Sequence, residues 1–473
     1  MTSIIGRPTI QHDIQNYTPL IERHYAAGTR LLTINNEITS SISDILSGCL
    51  KKQSCIELIE RAVNVQMKYR WSGGRSVALM SVLWYGCVKD LVEQGIDQRV
   101  VVIVMQCVVE KCVERMKEFN MSTQGVDLLS LCKGLAHGCK DWKLVSKAVS
   151  SLTSFTSLKQ VSVLYEQSVV PSLVHAGVLV PSTAKVRERE RIVILCGDLC
   201  SDYNHTGYKG ILKEAQIFTP NLAPSTSQLW LNKITTHLTS LSITSILVSG
   251  KLDPDLAHYC SQNNINIIST KYDTLARLSD QCDVAMLPFL DACTARNVIE
   301  VKCERVDEIW VSISPQGSDH VTILLRSCNK IKGSDISVTS LVARVQAALQ
   351  DQHVLPGRGV TELKLSQTLS HEVDLDSLLP QWQVEDVTLY SALICQRFCQ
   401  SLLRAEHLAR TNNEGLEEFN FDDLDSLSLE DVESEVYDVL SIKESSWLRA
   451  FEVTRVLLGI GLAVKPPPPP KEK

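Results

Sequence analysis

The chain has 473 residues, 44% of them hydrophobic, which is enough for two or three domains with cores of their own. A net charge of −7 and a pI near 5.9 argue against a nucleic-acid binder and against attraction to an acidic membrane surface. No apolar run approaches the ~20 residues that a membrane helix needs, and the N-terminus MTSIIGRPTIQHDIQ has no basic-then-apolar signal pattern. A soluble, cytosolic chain is expected, with its sixteen cysteines reduced. Cys107, Cys112, Cys395 and Cys399 sit in helical patterns without CxxC spacing, so they read as buried thiols and not as zinc ligands.

Residues 42–68 and 77–118 carry apolar side chains at spacings of three and four and predict successive amphipathic helices. LAHGCKDWKLVSKAVSSL continues that style to about residue 152. The texture then changes to short β-branched runs bounded by Gly, Pro and charge: QVSVLYEQSVVPSLV, GVLVP and RIVILCGDL. From 189 to 310 predicted strands (ITSILVSG, INIIST) alternate with predicted helices (SQLWLNKITTHLTSL, LDPDLAHYCSQN, YDTLARLSDQC), the βαβ rhythm of an α/β domain. EIWVSISP and DHVTILLRS are further strands, and SVTSLVARVQAALQ returns to helix. VLPGRGVTELKLS follows, a Pro-Gly-x-Gly turn with a helix directly behind it. Such a turn lets a backbone approach a bound group, and the helix N-terminus offers N–H groups to an anion.

Residues 414–438 are acidic with no Lys or Arg, and predict a mobile, exposed insertion. A last helix, SIKESSWLRAFEVTRVLLGIGLAV, is expected to run up to the polyproline tail KPPPPPKEK. The order of textures is helical, mixed, α/β, mixed, helical, which an α/β domain inserted into a split helical domain explains better than domains in tandem.

VTILLRSCNK, VLPGRGVTELKLS, LVEQGIDQRVVV and DVLSIKESSWLRAFEVTRVLL resemble, in that order of roles, the strand leaving the apical domain, the Val-Pro-Gly-Gly-Gly turn, an equatorial helix pair and the last equatorial helix of the group II chaperonins. YRWSGGRSVALMSVLW, RIVILCGDLCSDYNHTGY, SLVHAGVLVP and ILVSGKLDPDL are similar to the Bardet–Biedl syndrome branch of that family, over residues 55–460. The likeness implies an α+β multidomain fold. Its equatorial domain is 1–135 with 354–465, its intermediate domain 136–188 with 312–353, its apical domain 189–311, and its tail 466–473. It also implies that the two equatorial halves fold together.

The family's ATP pocket uses a Gly-Asp-Gly-Thr-Thr loop whose Asp works with magnesium. By the resemblance, Trp71-Ser72-Gly73-Gly74-Arg75-Ser76 stands there, with Ser72 in place of the carboxylate and Gly73, Gly74 and Ser76 keeping the turn. Ser340 falls where the family has its catalytic Asp. In the second turn Gly357 and Gly359 flank Arg358, whose bulk is expected to fill space the nucleotide would need, and Asp438 matches a ribose-side acid. The family's N-terminal Gly-Pro phosphate turn has no counterpart. The resemblance thus implies a vestigial pocket, no catalytic residue, no bound metal and no cofactor, with ATP binding as the alternative. The eleven histidines and the cysteines form no HExxH, GxSxG or Cys-His pattern.

The implied function is a chaperonin-like assembly factor, in the cytoplasm or at the centrosome or ciliary base. Its implied partners are sibling chaperonin-like Bardet–Biedl proteins, cytosolic chaperonin subunits and subunits of the ciliary coat complex. The 189–311 segment would present the partner surface. The rivals are an ATP-driven chaperonin subunit, which would need the carboxylates that Ser72 and Ser340 replace, and a plain helical scaffold with an unrelated insert.

Overall fold

The computed structural model describes residues 3–25, 32–34, 37–39, 41–49, 54–137, 139–200, 226–327, 334–371, 385–411, 436–459 and 462–465. Most of the acidic segment 414–438, the part of GDLCSDYNHTGY beyond residue 200 and residues 466–473 lie outside them. The last acidic-segment residues, 436–438, are described, and Tyr437 and Asp438 pair with Pro356 and Leu355, so they are not a mobile, exposed insertion. The chain divides into two compact units, one of residues 1–146, 167–169 and 327–473, the other of residues 147–166 and 170–326. It is a mixed α+β, multidomain protein, as its textures predict.

The first unit opens with strand β1 (Ser3–Gly6) and helix α1 (Arg7–His24), followed by the pair β2 (Leu32–Ile34) and β3 (Glu37–Thr39). Helices α2 (Ile42–Cys49), α3 (Ser54–Arg70), α4 (Gly74–Glu93) and α5 (Gln98–Met116) come next. The two predicted helical runs are therefore four helices. Gly73 adopts φ 89 between α3 and α4, and Gly95 adopts φ 100 between α4 and α5. Asp97 then caps α5, accepting from the Arg99 N–H at 2.8 Å. Strand β4 (Met121–Ser122) and helix α6 (Leu128–Gly134) complete the N-terminal part, and α7 (Trp142–Ser150) crosses the division between the units.

In the second unit β5 (Val161–Gln167), β6 (Leu173–Ala176), β7 (Val178–Pro181) and β8 (Arg189–Leu195) precede α8 (Thr226–Ser240), β9 (Ser245–Val248), α9 (Pro254–Gln262), β10 (Asn266–Ser269) and α10 (Tyr272–Cys282). Then come β11 (Ile299–Arg305), β12 (Trp310–Pro315) and β13 (Val321–Ser327). One sheet runs β10-β9-β8-β11-β12-β7 and another β5-β13-β6. Side chains two apart share a sheet face. Val193, Leu195, Ile246 and Val248 pack under α8 and α9, while Ile192, Ile194, Leu247 and Ile268 pack against Leu275 and Leu278 of α10.

The βαβ expectation holds only for β8, β9 and β10, which pair in parallel. The other half of the sheet is antiparallel, because β11 enters between β8 and β12. That strand, IEVKCER, has the alternation of a half-buried strand and was not among the expected elements. A charged triad around the buried Arg326 guanidinium also belongs to this unit. The Arg326 guanidinium is 2.6 Å from Glu166 and pairs with Asp307, and the Trp310 indole donates to Glu166 at 3.0 Å.

Back in the first unit, α11 (Ser334–Asp351), β14 (His353–Pro356), α12 (Val360–His371) and α13 (Glu385–Thr411) lead to β15 (Tyr437–Asp438), α14 (Leu440–Gly459) and β16 (Leu462–Lys465). The last helix does not reach the prolines. It ends at Gly459, and β16 pairs antiparallel with β1, Ser3 opposite Lys465. Glycines at 459 and 461 explain the stop.

The first unit's core draws on both ends of the chain. Buried residues of α1, α3, α4 and α5 pack with those of α12, α13 and α14. Trp84 of α4 stacks on Phe398 of α13 at 5.3 Å and meets Trp447 of α14 edge-on at 5.6 Å. Fourteen described cysteines are free and most are buried.

Candidate functional site

Two glycine turns of the first unit converge on the start of α14. At the first, Trp71 takes φ 54 and Gly73 is the left-handed N-cap of α4, with no side chain capping the helix. Gln66, fully buried on α3, holds this turn. Its amide nitrogen donates to the Ser72 carbonyl at 3.1 Å and to the Ser445 hydroxyl at 3.0 Å, and its oxygen accepts from Arg449 at 2.8 Å. A Cβ at Gly73 would lie 2.9 Å from that amide and 3.1 Å from Ile442. Gly74 packs against Val63 and Met67. Ser76, one turn into the helix, hydrogen-bonds the phenol of Tyr25.

The second turn joins β14 to α12. β14 is flanked by β4 and β15, with Leu355 opposite Asp438 and Pro356 opposite Tyr437. The Gly357 N–H donates to the Val436 carbonyl at 2.8 Å, so this donor is already taken by the protein. Gly359 has φ 82, and a Cβ there would meet the Glu406 Cα of α13 at 2.6 Å. Only glycine lets α13 come that close. Arg358 is the residue expected to take space that the nucleotide would need. Its side chain is exposed and its backbone sits at φ 53. A glycine should relieve that left-handed conformation, so Arg358→Gly is expected to leave stability unchanged or raise it by about 1 kcal/mol. Urea unfolding measures this, and a loss of more than about 1 kcal/mol would give the side chain a structural role.

Between the turns lies a buried charge cluster. The Lys443 ammonium is 2.8 and 2.9 Å from the two Glu362 oxygens and 2.7 Å from Asp438. The side chains of Lys443 and Glu362 are only 5% and 1% exposed. Asp438 also faces His137 at 3.3 Å, and the His137 ring nitrogen is 2.6 Å from the Tyr437 carbonyl. Arg344 is buried and reaches the Ala136 carbonyl at 3.4 Å and the carbonyl of Ser340, one turn earlier on α11. Ser340 thus sits beside the cluster through Arg344, and no hydrogen bond joins it to Ser72 among the described residues.

Burial works against the Lys443 ammonium, but Asp438 and Glu362 outweigh it and raise its pKa. Burial likewise pushes the Asp438 carboxyl up, and Lys443, His137 and Arg344 overcome it and hold it below the usual value. His137 is pushed down to about 4 by burial and then by Arg344, so it is neutral at pH 7 and its N–H donates to Tyr437. Burial lowers Arg344 to about 10, with Arg75 adding to the fall, and burial lowers Arg75 as well. Tyr25 is raised by burial and by Glu362.

The cluster carries three cations (Lys443, Arg344, Arg75) against two carboxylates. Lys443 neutralises the carboxylates it lies between, and the two arginines leave the cluster net positive. Magnesium with a triphosphate needs free carboxylate oxygens, and here both carboxylates already hold Lys443, while Ser72 supplies only a hydroxyl. These residues do not fit that metal. Among the described residues no group of three His, Cys, Asp or Glu side chains could hold a metal ion, and no helix is long and apolar enough to cross a membrane.

The sequence reading found the two turns and Asp438 but missed Lys443, Glu362, Arg344 and His137. A signal existed for two of them. Lys443 has Val439, Leu440 and Trp447 at helical spacing, and Arg344 has Leu341 and Ala348, so each is a lone charge on an apolar face.

Beside the cluster, Glu406 is 2% exposed and pairs with Arg410. Burial lifts its carboxyl from the ordinary 4.5 to about 7, with Arg410 opposing and Glu362 adding to the rise. The folded protein then binds more protons than the unfolded one between pH 4.5 and 7. Stability from this group is complete below pH 4.5 and falls as pH rises through 7. Glu406→Gln is expected to remove about 3 kcal/mol of that decline. Denaturant unfolding of both proteins at pH 5 and pH 8 reads the difference in slope, and parallel slopes would contradict it.

Compared with known proteins, the chain matches no protein-family model and no curated protein.

Proposed function

We propose that the chain is a chaperonin-like assembly factor that does not hydrolyse ATP. It works with sibling chaperonin-like Bardet–Biedl proteins and the cytosolic chaperonin to assemble the ciliary coat complex, and so supports cilium biogenesis from the cytoplasm or the ciliary base. The family rests on the resemblance of the quoted motifs. With it goes the division into equatorial, intermediate and apical domains, the last offering α9 and α10 as a partner surface.

The observation that carries the non-hydrolytic reading is Lys443. It sits between Glu362 and Asp438 where a free acidic pocket would serve a metal, and the Gly357 N–H is consumed by Val436. Phosphoryl transfer depends on positioning and metal charge, so a pocket lacking both loses orders of magnitude in rate. A second reading, nucleotide held without being cut, is favoured by the α4 N-terminus, which no side chain caps and whose first turn carries Arg75.

Capture of the tagged chain from ciliated cells, with mass spectrometry of its partners, tests the assembly role. Sibling chaperonin-like proteins and coat subunits are expected, and their absence with cytosolic folding clients present would favour the ATP-driven rival. Ser72→Asp should gain no magnesium-dependent ATP turnover, because Ser340 and the Lys443 cluster remain. Turnover in that variant would show that the other two positions are misassigned.

A further inference from the structure

The first unit has a cleft of about 430 Å³ between α1, α4 and α13, apart from the charge cluster and independent of the function proposed above. Its size falls within the range of small-ligand sites, about 300–1,000 Å³. Two residues that disfavour helices line it from facing helices. Pro19 lies inside α1, so the Gln15 carbonyl one turn earlier loses its helical N–H donor. Gly86 lies in the middle of α4 with no atom within 4 Å of where a Cβ would stand. Close packing therefore does not require that glycine. Its effect is to keep the cleft open.

The walls and charges narrow the occupant. Ile14, Val82 and Leu83, all at most 6% exposed, give an apolar lining. Glu22 is 2.7 Å from Arg404, and Lys89 is 3.5 Å from its neighbour Asp90, so those charges are matched. Arg397 also lines the cleft. Its contact is with the neutral Gln400 at 3.4 Å, and no carboxylate pairs with it among the described residues. Cys87, held protonated by burial with a pKa of about 12, adds no negative charge. The geometry points to a binding site for a small organic monoanion with an apolar body, its acid group on Arg397 and its chain against Ile14 and Val82. A guanidinium is suited to bidentate capture of a carboxylate.

Octanoate and its neutral analogue 1-octanol are the probes, each competing with 8-anilinonaphthalene-1-sulfonate in a fluorescence titration of the full chain. Octanoate is expected to displace the dye from one site per chain, at least about tenfold more tightly than 1-octanol, a difference typical of a charge-assisted hydrogen bond. Arg397→Gln should erase that preference while leaving 1-octanol binding unchanged, and Gly86→Leu should abolish both by filling the cleft. Arg455→Gln, an exposed cation paired with Glu452 elsewhere, should change neither. Equal affinity for octanoate and 1-octanol on the native chain would overturn the assignment, whether or not Gly86→Leu folds. So would an unchanged preference in Arg397→Gln.

Discussion

Replacing Lys443 with Met should cost about 3–5 kcal/mol, the loss expected when one partner of a buried ion group is removed. Methionine keeps the apolar stem but leaves Glu362 and Asp438 facing each other, with side chains 1% and 22% exposed. Two adjacent carboxylates in low dielectric cannot both stay ionised, and one must take a proton. In the native protein Asp438 is held below its ordinary 3.8, so its contribution is present above that pH and lost on acidification. In the variant the sign reverses, and the damage should be larger at pH 8 than at pH 5. Glu362→Gln added to Lys443→Met should recover part of the loss. Urea unfolding at the two pH values gives both numbers. A loss below about 1 kcal/mol at pH 8 would mean that the cluster is solvated like a surface pair.

The second large effect concerns the joint core. Trp84→Ala should cost about 3–5 kcal/mol, the range for emptying a buried aromatic site. Trp84 is fully buried and contacts one ring from α13 and another from α14. The cavity would therefore loosen the early and late parts of the chain together. Hydrogen exchange should show α4, α13 and α14 losing protection in step, while β8 and β9 of the second unit keep theirs. Loss confined to α4 would show that the two ends do not form one cooperative core.

The contrast between what was legible and what was not follows from the range of each interaction. Elements set by local pattern could be read directly: Gly95 and Asp97 mark the α4–α5 break, and the short continuous apolar runs in RIVIL and SILV mark β8 and β9 as strands covered on both faces. Strand β16 could not be read, because its partner β1 lies at the other end of the chain and LAVK continues the apolar run of α14. The same holds within the site. The glycine turns announce themselves by residue type. Lys443 owes its place to Glu362, 81 positions away, and His137 meets Tyr437 across 300. Arg358 shows the limit of residue type alone: nothing in the letter R announces the exposed left-handed corner, φ 53, that it occupies.

The central claim is that the converging glycine turns close on an internal ion cluster and not on a working metal–triphosphate site. Its most direct test is the turnover of magnesium-ATP by the purified full-length chain, read as phosphate release under single-turnover conditions with protein in excess. The expected result is no release above the protein-free rate, with Lys443→Met and Ser72→Asp behaving alike. Magnesium-dependent release by the native chain, abolished by Asp438→Asn, would contradict it.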